Sequence, residues 1–143
     1  MSVSTASAVE LPSTAYGSIG QEAIVVEEVI LATRREYVSD VEARVREYFS
    51  DIPIMAEVAR CESTFRHTLA DGSVLVGIVD GRDTGVMQIN TYYHGQTAIN
   101  MDLDLWDFYD NMAYARNLYE RQGTQPWSAS RPCWGQSQLA MAN

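Results

Sequence analysis

Glu62 is the residue of this chain whose setting best suits acid–base chemistry. It closes the series Met55, Val58, Ala59, Glu62, spaced i, i+3, i+4 and i+7 and therefore on one face of a helix. The spacing predicts a helix over Ile52–Phe65, with Asp51 as its N-cap and Pro53 in its first turn. Glu57 falls off the stripe. An apolar stripe faces a core, so the Glu62 carboxyl is expected to be partly desolvated. Desolvation penalises the charged form and raises the pKa, which lets a carboxyl hold a proton near neutrality as a general acid must. The bland alternative for a single Glu is a frayed helix end in water. His67 and His94 belong to no ligand pattern, so no metal is expected, and no sequence feature calls for a cofactor.

Several elements must position such a carboxyl. Met1–Gly20, rich in Ser, Ala, Thr and Gly, reads as a flexible tail over residues 1–20. Residues 21–50 read as a helical segment, either one long helix or two with a break near Ser39–Asp40, where Asp40 could cap the second. Residues 51–135 read as the core of one domain, and 136–143 as a frayed C-terminal tail. Within that core, Asp-Gly pairs at Asp71–Gly72 and Asp80–Gly81 punctuate a β-branched stretch. Strand-like segments are expected over Ser73–Val79 and Thr84–Ile89, forming a small hairpin or a hairpin plus irregular loop able to wall a cleft beside Glu62. Tyr92, Tyr93 and His94 open a polar, aromatic segment without assigned secondary structure. A further helix is expected over Leu105–Gln122, capped by Asp104 and stopped by Gly123. Pro126–Gly135 reads as a loop with two tryptophans around Cys133. The fold class is thus mainly α with a small β component.

The chain has 143 residues, 46% of them hydrophobic, enough for one domain with a real core. Its formal charge of −9 leaves no Lys/Arg stripe for phosphates, which argues against nucleic acid. No run approaches the ~18 apolar residues of a membrane span, and the start lacks the basic and apolar regions of a signal peptide. Cys61 and Cys133 lack C-x-x-C spacing. One long-range disulfide is the natural pairing and would indicate an oxidising, extracytoplasmic setting; two buried free thiols are the alternative.

The segments C-E-S-T-F at Cys61–Phe65 and G-V-M-Q-I at Gly85–Ile89 resemble the E-S-x-F and G-L-M-Q-I motifs of the lytic transglycosylase branch of the lysozyme-like superfamily. The resemblance runs from about Ile52 to Gly135. It implies a lysozyme-like fold with a small β-hairpin flap beside a cleft for a peptidoglycan glycan strand. It also implies that Glu62 protonates the bond between N-acetylmuramic acid and N-acetylglucosamine and then acts as base, while the muramic C6 hydroxyl attacks and leaves a 1,6-anhydro sugar.

Further roles combine that resemblance with residue chemistry. Ser63 is a substrate contact or a local cap, and Gln88 can offer an acetamido group both a donor and an acceptor. Met87 would form the cleft floor. Gly85 permits a tight turn or a close approach of backbone to a sugar. Tyr92, Tyr93 and His94 are candidates for a cleft rim or an ordinary surface loop, and Trp127 for stacking on a sugar or packing beside Cys133. Asn111 matches the family's N-I-x-x-G segment, with Ala115 where Gly is expected; helix packing is its other reading. The family's A-Y-N-A-G is replaced by P-W-S-A-S at 126–130, so no Tyr matches near the acid. Asp83 and Asp80 remain candidates for a second carboxylate, which would permit two-carboxylate hydrolysis of a muramidase type. A non-catalytic glycan-binding or structural module is the remaining alternative.

Overall fold

The computed structural model of the chain describes residues 19–141, with the side chains of a few helical residues excepted. Most of the tail expected over 1–20 therefore lies outside the described residues. The chain divides into two compact units, Met1–Arg35 and Glu36–Asn143. Helix α1 (Ile19–Tyr48) is continuous, the one-helix reading of this segment; Asp40 pairs with Arg44 along the helix and caps no second one.

In the second unit α1 buries Val41 and Val45, and Phe49, just past its end, continues the i, i+4, i+8 stripe. Helix α2 (Pro53–Ser63) follows with Pro at its start, but Asp51 does not cap it: the N-cap position is Ile52, without a side-chain bond. Arg116 claims both Asp51 oxygens, at 2.8 and 2.9 Å, and holds that carboxyl below its usual range. Met55, Val58 and Ala59 are buried as their spacing predicts. Glu57, off that stripe, is only 8% exposed. Burial pushes its pKa up, but donors on Arg60, Arg46 and Ser137 outweigh that and hold it low.

The sheet is smaller than expected. Strands β1 (Asp83–Thr84) and β2 (Ile89–Asn90) pair antiparallel, Asp83 opposite Asn90 and Thr84 opposite Ile89. Ser73–Val79 supplies only isolated bridges, at Val74 and Val76, and its apolar Ile78 and Val79 point into solvent with no face to cover. Thr84–Ile89 is not one strand, because positive φ at Gly85 (73°) and Gln88 (49°) curls Gly85–Gln88 into the turn of the hairpin.

Helix α3 (Thr91–Asn100) occupies the segment left unassigned, capped by Asn90, whose side-chain oxygen accepts from the backbone N–H groups of Tyr92 and Tyr93. Helix α4 (Phe108–Gln122) starts three residues later than expected, because Asp107 caps it and Asp104 instead accepts from Trp106 N. Gly123 stops it, with φ 61°. The stretch expected as loop and tail is a 3-10 turn (Gln125–Ser130) followed by helix α5 (Arg131–Met141). Pro126 and Pro132 each sit in a first turn, where no N–H is missed. The fold is mainly helical with one two-stranded antiparallel sheet, and no described helix is long and apolar enough to cross a membrane.

Helix α5 docks on α2 through the Cys61–Cys133 disulfide, which spans 72 residues of sequence with Cα atoms 6.0 Å apart. Trp134 is buried, and its indole N–H donates to Trp127 O at 3.0 Å. Closing a loop of that length restricts the unfolded chain, so a Cys61→Ser/Cys133→Ser double variant is expected to lose about 3 to 4 kcal/mol. Urea unfolding of the oxidised parent and the variant measures it; equal midpoints would show the bond to be dispensable.

Candidate functional site

Glu62 sits in the last turn of α2, where the chain leaves the helix through Thr64 in left-handed conformation (φ 52°). This exit lets the side chain reach a cavity of about 350 Å³ rather than open water. Asp83 and Gln88 enter the cavity from the hairpin, Tyr93 and His94 from α3, Gln122 from α4, and Trp127 and Ala129 from the 3-10 turn. Burial raises the Glu62 pKa, and the nearby charge of Asp83 adds to the rise. Ser130 opposes it by donating its hydroxyl to Glu62 Oε1 at 2.5 Å. The result is a carboxyl inclined to keep its proton at the wall of an accessible cavity.

The hairpin wall is held from behind by buried side chains that grip its main chain. Asn111 on α4 is fully buried; its Oδ1 accepts from Met87 N at 3.0 Å, and its Nδ2 donates to Thr84 O at 3.0 Å and Leu105 O at 2.9 Å. His67 Nδ1 accepts from Val86 N at 3.1 Å while Nε2 donates to Trp106 O at 2.9 Å, which sets the neutral tautomer. Trp127 Nε1 donates to Met87 O at 2.9 Å. Gly85 has no room for more: a Cβ there would lie 2.5 Å from Asn111 Nδ2, quite apart from its φ of +73°. The glycine of the G-V-M-Q-I segment thus serves packing against Asn111 and a tight turn.

Burial holds His67 below its ordinary pKa. On acidification the unfolded chain takes up that proton first, near pH 6.5, so the stability contributed by His67 is present above that pH and is lost as pH falls through the folded value. His94, also lowered mainly by burial, acts in the same direction. Thermal melts from pH 7.5 to 5 of the Glu62→Gln variant, which lacks the opposing titration of Glu62, are expected to show falling stability, with NMR titration of the His67 ring in parallel. A ring that titrates at its free value would rule out this source of acid sensitivity.

The sequence candidates separate clearly. Glu62, Asp83, Gln88, Tyr93 and Trp127 line one cavity. Ser63, Met87 and Asn111 do not reach it. Ser63 is buried and donates to Ala59 O at 3.0 Å, Met87 is fully buried in the core, and Asn111 is committed to the turn. Tyr92 lies outside on the exposed side of α3 under the Arg82 guanidinium, 5.1 Å from its ring centre. Asp80 is held by Arg82 through both oxygens, at 2.8 and 2.7 Å, which keeps it ionised and makes it a turn anchor rather than a cavity group. Asp83 accepts from Asn90 Nδ2 at 2.8 Å and faces the cavity. Trp127 is only 3% exposed with its N–H already engaged, so its indole is chiefly a packing surface.

Sequence reasoning missed Ser130, Asn90 and Gln122, whereas His94, read with Tyr92 and Tyr93 as a candidate for the cleft rim, does line the cavity. Asn90 carried a usable signal, an Asn at a strand end preceding a polar run, which is an N-cap pattern. His94 Nδ1 lies 3.0 Å from the buried Tyr114 hydroxyl, a pairing between helices that no local pattern announces. Among the described residues no cluster of His, Cys, Asp and Glu could hold a metal ion. In comparisons with known proteins, no family model, curated protein or solved structure matches the chain.

Proposed function

We propose that this chain cleaves the β-1,4 bond between N-acetylmuramic acid and N-acetylglucosamine in peptidoglycan, as a lytic transglycosylase of lysozyme-like type, with Glu62 as acid and then base. The observation that carries this reading is the half-buried Glu62 carboxyl, its pKa raised, at the wall of a cavity that also presents Gln88, Tyr93 and His94. Amide and aromatic groups of that kind suit a sugar with acetamido substituents. Glu62 gives its proton to the glycosidic oxygen as the bond to the anomeric carbon breaks. The resulting carboxylate then takes the proton of the muramic C6 hydroxyl as that oxygen closes on the anomeric carbon, leaving a 1,6-anhydro end and restoring the acid. The substrate supplies the nucleophile, so one carboxyl suffices. The disulfide accords with action outside the cytoplasm.

Asp83 favours a second reading, because it shares the cavity with Glu62. Two carboxylates across a glycosidic bond support hydrolysis by water, with a reducing muramic end as product. Mass spectrometry of the soluble products from purified peptidoglycan, with wild type, Glu62→Gln and Asp83→Asn side by side, separates the readings. Anhydro ends that persist in Asp83→Asn and vanish in Glu62→Gln support transglycosylation. Reducing ends lost in both variants support hydrolysis, and no product from any wall type with folded wild type leaves a glycan-binding module.

A further inference from the structure

The proposed acid has a neighbour whose geometry the reaction scheme above does not use. The Ser130 hydroxyl is 2.5 Å from Glu62 Oε1 and 3.1 Å from Trp127 O, yet it has a single proton to give. Trp127 O already receives the Trp134 indole N–H at 3.0 Å, so it is satisfied without Ser130. Glu62 Oε1 has no other donor among the described residues. The shorter contact and the unmet acceptor both direct the Ser130 proton to Glu62.

We propose that Ser130 is a positioning residue for Glu62: its hydroxyl occupies Oε1 throughout the cycle and so reserves Oε2 as the oxygen that carries and exchanges the proton. A carboxyl has two oxygens on which a proton can sit, and a general acid works only when the proton is on the one directed at the leaving group. Ser130 removes the ambiguity. Its backbone is held for the purpose: it ends the 3-10 turn whose Trp127 is pinned to Met87 O, and it precedes α5, which the disulfide fixes to the turn of α2 bearing Glu62. The same hydrogen bond favours the ionised carboxyl and so moderates the upward push of burial, keeping Glu62 able to return as a base.

The catalytic role of Ser130 rests on the proposed function, but its hold on Glu62 can be read without any substrate. Carbon-13 NMR titration of the Glu62 carboxyl is compared in wild type, Ser130→Ala and the volume-matched pair Ser130→Thr and Ser130→Val. Loss of the hydroxyl in the Ala and Val variants is expected to move the titration to higher pH, and Thr to keep it at the wild-type position. If Ala does not fold, the Thr and Val pair decides. A titration unchanged by loss of the hydroxyl overturns the proposal, whether or not the protein cuts glycan. On peptidoglycan, the Ala variant is expected to lose about tenfold in rate, the worth of one hydrogen bond to a charged group. The alkaline limb of its pH profile should move upward, and Thr should restore both. A purely structural role would lower the rate without moving the limb, and would overturn it too. A shifted titration in a protein that cleaves nothing upholds the Ser130 contact and removes the glycosidase reading instead.

Discussion

Glu62→Gln is expected to lower glycan cleavage by about 10²- to 10⁴-fold and, at pH 7, to make the fold more stable than the wild type. The two effects share one cause. The Glu62 pKa is raised above its ordinary value, chiefly by burial. Between the unfolded and folded pKa values the native state binds more protons than the unfolded chain, so stability declines as pH rises through that window. The contribution is whole below the unfolded value, about 4.5, and gone above the folded one. Glutamine cannot ionise and still offers Ser130 an acceptor oxygen, so it keeps the contact and escapes the loss. Thermal melts at pH 4 and pH 7 check this: the variant should melt near the wild type at pH 4 and above it at pH 7. An inactive variant that melts lower at both values would mean that its inactivity reflects a damaged fold and says nothing of proton transfer.

Asn111→Ala is expected to cost about 5 kcal/mol, enough to threaten folding of a domain of this size. The substitution removes few atoms but strands three buried backbone groups, Met87 N, Thr84 O and Leu105 O, each worth roughly 1 to 3 kcal/mol when left unsatisfied. Asn111→Asp would keep the acceptor for Met87 N and lose both donors, so it separates the halves of the arrangement. Urea unfolding gives the numbers. A loss under about 1 kcal/mol for the Ala variant would mean that water or a neighbour replaces the amide and that the hairpin stands without it.

What could be read from the sequence was whatever local chemistry decides. The α2 stripe and the Gly123 stop follow from periodicity and backbone freedom, and the Cys61–Cys133 bond is the natural pairing of the chain's two thiols, with free thiols as the alternative that the fold closes off. Where two plausible groups competed, the sequence did not arbitrate. Asp51 and Asp107 are both reasonable caps, yet Arg116, 65 residues away, withdraws the first from the helix end. Asp104 and Asp107 differ by less than a turn, and only the second accepts from the Tyr109 and Asp110 N–H groups. Helix α3 was hidden by its β-branched and aromatic start and by Gly95, all weak helix formers, and forms through its Asn90 cap and packing of Ala98. Helix α5 was masked by Pro132, Trp134 and Gly135, which look like loop residues until α2 gives the helix a surface. For the site, Glu62 stood out because it lies on an apolar stripe, whereas Ser130 owes its place to tertiary contacts alone.

The grip of Asn111, His67 and Trp127 on the Thr84–Met87 backbone makes the wall beside Glu62 a socket rather than a fitted part. The gripping atoms touch only amide N–H and carbonyl groups, and none of them reads the Gln88 side chain, which folds back by its own Nε2 onto Gly85 O at 2.9 Å. The fitting presented to a ligand can therefore be exchanged without rebuilding its mount. The one condition is set by the main chain: with φ at +49°, position 88 accepts Asn or Gly readily and β-branched residues poorly. At this turn the side chain that faces the cavity, Gln88, is thereby distinct from the side chains Asn111 and His67 that hold the main chain beneath it.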